Sequence, residues 1–184
     1  VETINSLLEE LVAYLKESSE QPTMVRAAMA HLNLAMIHPF KDGNGRMARA
    51  LQTLIIALDG MLNPVFSSIE EWLGRNTQEY YAVLAFTGQG RWNPDRSAQA
   101  WVRFCLKAHY QQAATLIRRN DEYSRLYDRI TALLEAMSLP ERAGVSVFDA
   151  ALGLRITNGR YRADAEVAEL TCLLYTSPSP RDRG

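Results

Sequence analysis

The chain has 184 residues, 47% of them hydrophobic, and a formal net charge of -1. This length and composition suit one domain with a buried core, or one domain and part of another. The near-neutral charge argues against a strongly basic nucleic-acid binder, and no run of about 18 apolar residues indicates a membrane span. Cys105 and Cys172 form no recognisable metal or disulfide framework, so a cytoplasmic location is expected.

Helical periodicity dominates the first part of the chain. A first helix is predicted over residues 4–15, where apolar residues recur at spacings of three and four and share one face. A second helix opens at Pro22 and ends before Pro39, and a third begins near residues 44–46 and ends at Gly60. The expected buried face of the third helix consists of Met47, Ala50, Leu51, Leu54, Ile55 and Leu58.

The later helices are indicated by a capping pattern and by two long apolar stripes. Ser68 and Glu71 resemble a capping box, after which a helix should continue through residues 81–86. A long helix is predicted over residues 97–119, and a connecting helix follows over residues 121–137. No convincing strand pattern appears in this part of the sequence, so the predicted fold class is all-α.

The composition changes at residues 138–144, "SLPERAG". After it come a short helical piece, "VSVFDAALG", and then a turn with a further helix. Two helices in this order are typical of the start of a helix-turn-helix or winged-helix module. We therefore expect a partial winged-helix module over residues 138–171, with DNA as its partner.

Both ends of the sequence indicate a fragment of a longer protein. The chain begins at Val1 without a methionine, and residues 172–182 read "CLLYTSPSPRD". This string looks like the translation of a common sequencing-library adapter; the alternative is a disordered tail rich in serine and proline. We expect residues 172–184 to be an artefact outside the fold, and native sequence to stop near Thr171.

The stretch "HPFKDGNGRMAR" at residues 38–49 carries the chemistry. Gly43 and Gly45 flank Asn44 where a helix begins, and the exposed N–H groups of a helix N-terminus bind anions such as phosphate. The amide of Asn44 can donate to a phosphate and accept from the loop. Arg46 and Arg49, three residues apart, would hold further phosphate oxygens.

Two residues before the glycines complete the predicted site. Asp42 offers a hard oxygen ligand beside the phosphates, which suits Mg²⁺. His38 ends the preceding helix and can act as a general base towards a hydroxyl that attacks phosphate. Phe40 is expected to point inward and to anchor the loop. Each residue alone has an ordinary structural explanation, and the continuous order of all of them favours a catalytic site.

This stretch resembles the signature of the Fic family, HPFx[DE]GNGRxxR, at every defined position. The segment "YYAVLAFTGQGRW" and the helix "WVRFCLKAHYQQA" also resemble the all-α core of that family. The resemblance covers residues 1–120, the expected catalytic core. It implies transfer of AMP from ATP to a Tyr, Ser or Thr hydroxyl of a target protein, with release of pyrophosphate. It also implies a cytoplasmic, bacterial or archaeal protein, with a homodimer as a further expectation.

The resemblance assigns a role to each residue of the motif. His38 would deprotonate the target hydroxyl, and Asp42 would hold Mg²⁺. The α- and β-phosphates would lie in an anion hole formed by Gly43, Asn44 and Gly45. Arg46 would support the phosphates, Arg49 would bind the γ-phosphate, and Tyr81 would stack on the adenine. The phosphate-transferring branch of the family has lysine where this chain has Gly45, which favours AMP transfer.

Several alternatives remain open at this stage. Family members carry a β-hairpin flap upstream of the first helix here, and many carry an inhibitory helix, which residues 6–10 do not match convincingly. The motif does not distinguish AMP transfer from transfer of UMP or phosphocholine, or from removal of AMP. A DNA-binding regulator that only senses nucleotide is a further alternative. His31 and His109 are expected to be structural.

Overall fold

The computed structural model describes residues 3–17, 20–60, 68–90 and 92–165. Regular secondary structure within these ranges is entirely helical, which confirms the predicted all-α class. The chain forms two compact units, Val1–Ile117 and Arg118–Gly184. The helices are α1 (Ile4–Glu17), α2 (Thr23–Ile37), α3 (Asn44–Leu58), α4 (Glu70–Arg75), α5 (Thr77–Gly88), α6 (Gln99–Ala136), α7 (Ala143–Ala151) and α8 (Asn158–Asp164). None of these described helices combines the length and the apolar composition that crossing a bilayer requires.

Helix α2 lies at the centre of the first unit and packs against α1, α3 and α5. Ala27, Ala28 and Ala30 are fully buried, and their small side chains let neighbouring elements approach the α2 backbone. The indole nitrogen of Trp101 donates to the carbonyl oxygen of Ala28 at 2.7 Å, so this large buried ring leaves no polar atom unsatisfied. Burial raises the pKa of the Cys105 thiol to about 12, which makes it a neutral packing residue.

The buried face of α3 differs from the predicted one. Met47, Leu54 and Leu58 are 49%, 52% and 76% exposed, and Ala50 is exposed as well. The apolar pattern misplaces this face because a polar residue, Gln52, lies in the core with 1% exposure. The buried residues of α3 are Asn44, Ala48, Gln52, Ile55 and Ile56.

The predicted break between residues 119 and 121 is wrong, because α6 continues through it. Asn120 and Asp121 favour caps and turns, but no glycine or proline lies nearby to interrupt the helical backbone. From Arg118 onward α6 belongs to the second unit.

The single helix predicted after Ser68 is in fact two. The two helices meet at Asn76. Its side-chain amide donates to the carbonyl oxygen of Trp72 at 2.8 Å, near the C-terminal end of α4. The Ser68 hydroxyl accepts from the N–H of Glu70 at 3.3 Å, yet Ile69 occupies the N-cap position of α4. The helix therefore begins one residue later than a capping box at Ser68 requires.

The second unit contains the rest of α6 with α7 and α8, so helices are present where they were predicted after residue 144. The ring of Phe148 on α7 makes edge contacts with Tyr123 and Tyr127 on α6. Arg160 on α8 pairs with Asp149 on α7 at 3.1 Å. Residues 166–184, which include the end of the expected winged-helix module and the whole adapter-like tail, lie outside the described residues.

Candidate active site

The loop that joins α2 to α3 begins at His38, which ends α2 in the left-handed conformation, with φ of 52°. Its N–H donates to the carbonyl oxygen of Leu34 at 3.1 Å and closes the last turn. Its ring Nδ1 lies 3.3 Å from the carbonyl oxygen of Ala35. Because a carbonyl can only accept, this contact requires the proton on Nδ1 and leaves the lone pair on Nε2. The neutral ring is thus oriented to accept a proton at Nε2.

Asn44 fixes the shape of this loop. Its side-chain oxygen accepts from the N–H of Phe40 at 2.9 Å, and its amide donates to the carbonyl oxygen of Phe40 at 2.6 Å. The Phe40 side chain, expected to anchor the loop by pointing inward, is instead 44% exposed. The anchor is therefore the amide of Asn44, which is 5% exposed. One N–H of this amide is engaged by the loop, which leaves its second N–H and the backbone N–H of Asn44 for an anion.

The two glycines of the motif meet different requirements. Gly43 is the N-cap of α3 and has φ of +87°, a conformation that strains any residue with a Cβ atom. Its N–H donates to Asp42 Oδ1 at 2.7 Å. A Cβ on Gly45 would lie 3.3 Å from Nη1 of Arg49, so the absence of a side chain there keeps the approach to Arg49 open. Neither glycine therefore places a side chain of its own between the N-terminus of α3 and the cavity that both residues line.

Asp42 and Arg46 form an exposed ion pair at 3.2 Å, with side chains 91% and 73% exposed. Such a pair contributes about 0–1 kcal/mol, so both groups can leave it for a ligand at little cost. One carboxylate beside phosphate oxygens is a typical ligand set for Mg²⁺, and Asp42 fits it. Among the described residues no group of three or more His, Cys, Asp or Glu side chains converges.

Arg49 is the more deeply held of the two arginines, with a side chain 21% exposed. Its Nε donates to Glu70 on α4 at 2.5 Å. Its Nη1 and the Tyr80 hydroxyl lie beside each other at Gly45, at 3.3 Å and 4.0 Å from the position that a Cβ atom would take there. Burial lowers the pKa of Arg49, but Glu70 and Tyr80 outweigh it and the net direction is upward. Burial raises the pKa of Tyr80, against the opposing effect of Arg49. Arg49 is therefore a fixed cation and Tyr80 a neutral phenol.

All eight residues singled out in the sequence line one cavity of about 370 Å³, in the size range of small-molecule sites. Lys41, Arg46 and Arg49 place positive charge around it. Tyr81 is 60% exposed there, as a ring available for stacking must be. The predicted residues that line the cavity are His38, Asp42, Gly43, Asn44, Gly45, Arg46, Arg49 and Tyr81.

Sequence reasoning missed three contributors to this site. Lys41 occupies an undefined position of the motif, and its charge alone did not distinguish it from a solvated lysine. Tyr80 is buried at 4% exposure, as an ordinary core residue would be, yet it also lines the cavity. Glu70 comes from a different helix, and no local spacing links it to Arg49.

The segment that carries the motif is similar to known proteins. Residues 1–56 match the model of the Fic/DOC family. The chain is 38% identical over 106 residues to protein adenylyltransferase fic-1 of Caenorhabditis briggsae, covering 55% of this chain and 18% of that protein. It is 37% identical over 108 residues to the protein of the same name from Caenorhabditis elegans, covering 58% of this chain and 19% of that protein. The chain thus spans about a fifth of the length of these relatives.

Proposed function

We propose that the chain transfers AMP from ATP to a hydroxyl group of a target protein. Residues 1–56, which contain the whole motif, match the Fic/DOC family model, and the similar proteins are named adenylyltransferases. The observation that supports this most is the cavity itself. It combines a histidine with its lone pair on Nε2, the open N-terminus of α3 and three cationic side chains. These are a base, an anion hole and phosphate ligands within reach of one bound molecule.

In the proposed reaction, the target hydroxyl oxygen attacks the α-phosphorus of ATP. Nε2 of His38 takes the hydroxyl proton as the new oxygen–phosphorus bond forms. The bond from the α-phosphorus to the bridging oxygen of the β-phosphate breaks, and pyrophosphate leaves with that electron pair. Backbone N–H groups at Asn44 and Gly45 stabilise charge on the α- and β-phosphate oxygens, and the N–H of Gly43 joins them when Asp42, its acceptor without ligand, turns to Mg²⁺.

The arginines and Asp42 complete the binding of the nucleotide. Arg46 leaves its weak pair with Asp42 and supports the phosphates. Arg49 keeps Glu70 at Nε, and its remaining guanidinium donors serve the γ-phosphate. Asp42 would hold Mg²⁺, which when bound supplies neutralising charge at the phosphate oxygens. Tyr81 would stack on the adenine.

Labelling ATP with an isotope at different phosphates tests this proposal. The chain, Mg²⁺ and a bacterial cell extract are incubated with ATP labelled at the α-phosphate, and in parallel with ATP labelled at the γ-phosphate. AMP transfer predicts protein-bound label from the α-position alone, absent with His38→Ala. Label from the γ-position alone would indicate kinase chemistry. Bound ATP without protein labelling would favour the nucleotide-sensing regulator.

The competing transfers are tested in the same format. UMP transfer predicts protein-bound label from α-labelled UTP, and phosphocholine transfer predicts label from CDP-choline labelled in the choline. Removal of AMP predicts loss of label from protein already carrying labelled AMP. A reaction faster with any of these than with ATP would overturn the AMP assignment.

DNA binding by the C-terminal unit stays a prediction. The order of α7, a turn and α8 after a long helix supports it. Titration of a fluorescently labelled duplex with the chain tests it by anisotropy. Affinity that falls steeply with salt is expected, and no binding at low salt would contradict it. A homodimer, a cytoplasmic location and a bacterial or archaeal source also stay predictions.

A further inference from the structure

A chain of buried polar side chains runs behind the cavity from Arg49 into the core. Tyr80 on α5 lies with its hydroxyl 3.1 Å from Nε2 of His31 on α2. Nδ1 of His31 lies 2.5 Å from Oε1 of Gln52 on α3, and Nε2 of Gln52 lies 2.8 Å from Nε2 of His109 on α6. Four helices of the first unit therefore meet through hydrogen-bonded side chains that begin at Tyr80, whose hydroxyl lies beside Arg49.

The side-chain amide of Gln52 fixes the direction of the bonds in this chain. Its Oε1 can only accept, so His31 carries its proton on Nδ1 and donates to it. The neutral ring of His31 then accepts from the Tyr80 hydroxyl at Nε2, and the amide nitrogen of Gln52 donates to Nε2 of His109. The Tyr80 oxygen keeps its lone pairs for the neighbouring guanidinium of Arg49, which has donors only.

Burial keeps both histidines in the neutral form that this arrangement needs. His31 and Gln52 are each 1% exposed and Tyr80 is 4% exposed. Burial lowers the pKa of His31 to about 4 and that of His109 to about 4. A protonated His31 would donate from Nε2 to the Tyr80 oxygen, which would reverse that bond and displace the Tyr80 proton from it.

Stability alone does not account for polar groups at these positions. Burying amide, imidazole and phenol groups is costly unless all are satisfied, and apolar side chains of similar volume pack at least as well. What the polar chain adds is a defined position for its end, the Tyr80 hydroxyl, against the guanidinium of Arg49. Glu70 holds Nε of the same guanidinium from the other side.

We propose that Tyr80, His31, Gln52 and His109 form a positioning network that fixes the guanidinium of Arg49 for phosphate binding. His31, Gln52 and His109 do not line the cavity, so they act only through Tyr80 and Arg49. The identity of the phosphate ligand, ATP, rests on the proposed function. The ordering of Arg49 does not, because the network exists without a ligand.

The first measurement uses the ligand-free full chain. Tyr80→Phe removes the hydroxyl and keeps the ring that packs against Trp101 and Phe104. We expect the guanidinium protons of Arg49 to exchange with solvent about 3–10-fold faster in nuclear magnetic resonance spectra, as loss of one hydrogen bond implies. Tyr110→Phe, the same change on an exposed tyrosine, should leave this exchange as in the wild type. Unchanged Arg49 exchange in Tyr80→Phe would overturn the proposal.

The second measurement compares nucleotides. Tyr80→Phe should weaken MgATP binding about 3–10-fold and leave AMP binding unchanged, because Arg49 serves the γ-phosphate. In an Arg49→Ala background, Tyr80→Phe should weaken MgATP binding no further, because Tyr80 acts through Arg49. If Tyr80 served only the stability of the fold, Tyr80→Phe would weaken MgATP binding in this background as well. Equal loss of ATP and AMP binding would also count against the proposal. A wild-type chain that binds no ATP would refute the proposed function. The exchange measurement on the ligand-free chain would then show by itself whether the network positions Arg49.

Discussion

At the scale of single residues, hydrogen bonds decide which atoms of the site are available to a ligand. The Ala35 carbonyl oxygen holds Nδ1 of His38 and leaves Nε2 for a proton. Glu70 holds Nε of Arg49 and leaves its other nitrogens. The Asp42–Arg46 pair, in contrast, is exposed and weak, so both side chains can turn to substrate.

His38→Ala should abolish AMP transfer and preserve MgATP binding. The imidazole is the only group assigned to proton transfer, and loss of a general base lowers the rate about 10²–10⁴-fold. His38 lies outside the anion hole formed by α3, so the nucleotide should still bind. Titration with MgATP and timed labelling from α-labelled ATP measure the two effects. Transfer at the wild-type rate would show that another group is the base.

Asp42→Asn should raise the Mg²⁺ concentration needed for half-maximal transfer by about tenfold or more, since even indirect partners of a metal site are worth 10–100-fold. The substitution keeps the shape of the side chain and removes its charge. Titration of activity with Mg²⁺ at saturating ATP measures it. Asp95→Asn, the same change at an exposed residue outside the cavity, is the matched control. Identical Mg²⁺ curves for all three proteins would remove Asp42 as the metal ligand.

At the scale of elements, helix α3 shows what the sequence could and could not predict. Its start was predictable because the glycine-rich motif marks a helix N-terminus by local chemistry. Its buried face was not, because the periodicity of apolar residues gives no sign that Gln52 is core. That fact depends on His31 and His109, which come from other helices. The ion pair between Glu70 and Arg49 was equally unpredictable, because the two residues are far apart in the sequence.

Asn44→Ala should loosen the loop between α2 and α3, whereas Phe40→Ala should not. The first change removes both hydrogen bonds to the Phe40 backbone, each worth about 0.5–1.5 kcal/mol. The second removes an exposed ring and leaves those bonds in place. Hydrogen exchange of the Phe40 amide should therefore accelerate about 5–100-fold in Asn44→Ala alone. Faster exchange in Phe40→Ala than in Asn44→Ala would restore the phenylalanine as the anchor.

At the scale of the whole molecule, the site and its buried network belong to the first unit. All three tryptophans, Trp72, Trp92 and Trp101, also lie there. Tryptophan fluorescence therefore reports the unfolding of this unit. Because the buried His31 and the half-buried His109 are kept neutral in it, folding and proton binding are coupled.

The free energy of unfolding of the first unit should fall when the pH falls from 7.5 to 5.0. Burial lowers the pKa of His31 and of His109 to about 4, so between pH 6.5 and 4 the unfolded chain binds more protons than the folded one. This contribution is constant above pH 6.5 and is lost on acidification, by about 2 kcal/mol per histidine at pH 5.0. Carboxylates contribute little in this window because their ordinary pKa values lie near 4.

His109→Gln separates this coupling from general acid sensitivity, because it removes one of the two neutralised imidazoles and keeps a group that can accept from Gln52. The fall between pH 7.5 and 5.0 should then shrink by about half. Urea unfolding followed by tryptophan fluorescence at both pH values measures each free energy. A wild-type stability that is the same at both pH values, or a full-sized fall in His109→Gln, would show that these histidines are not held neutral by the fold.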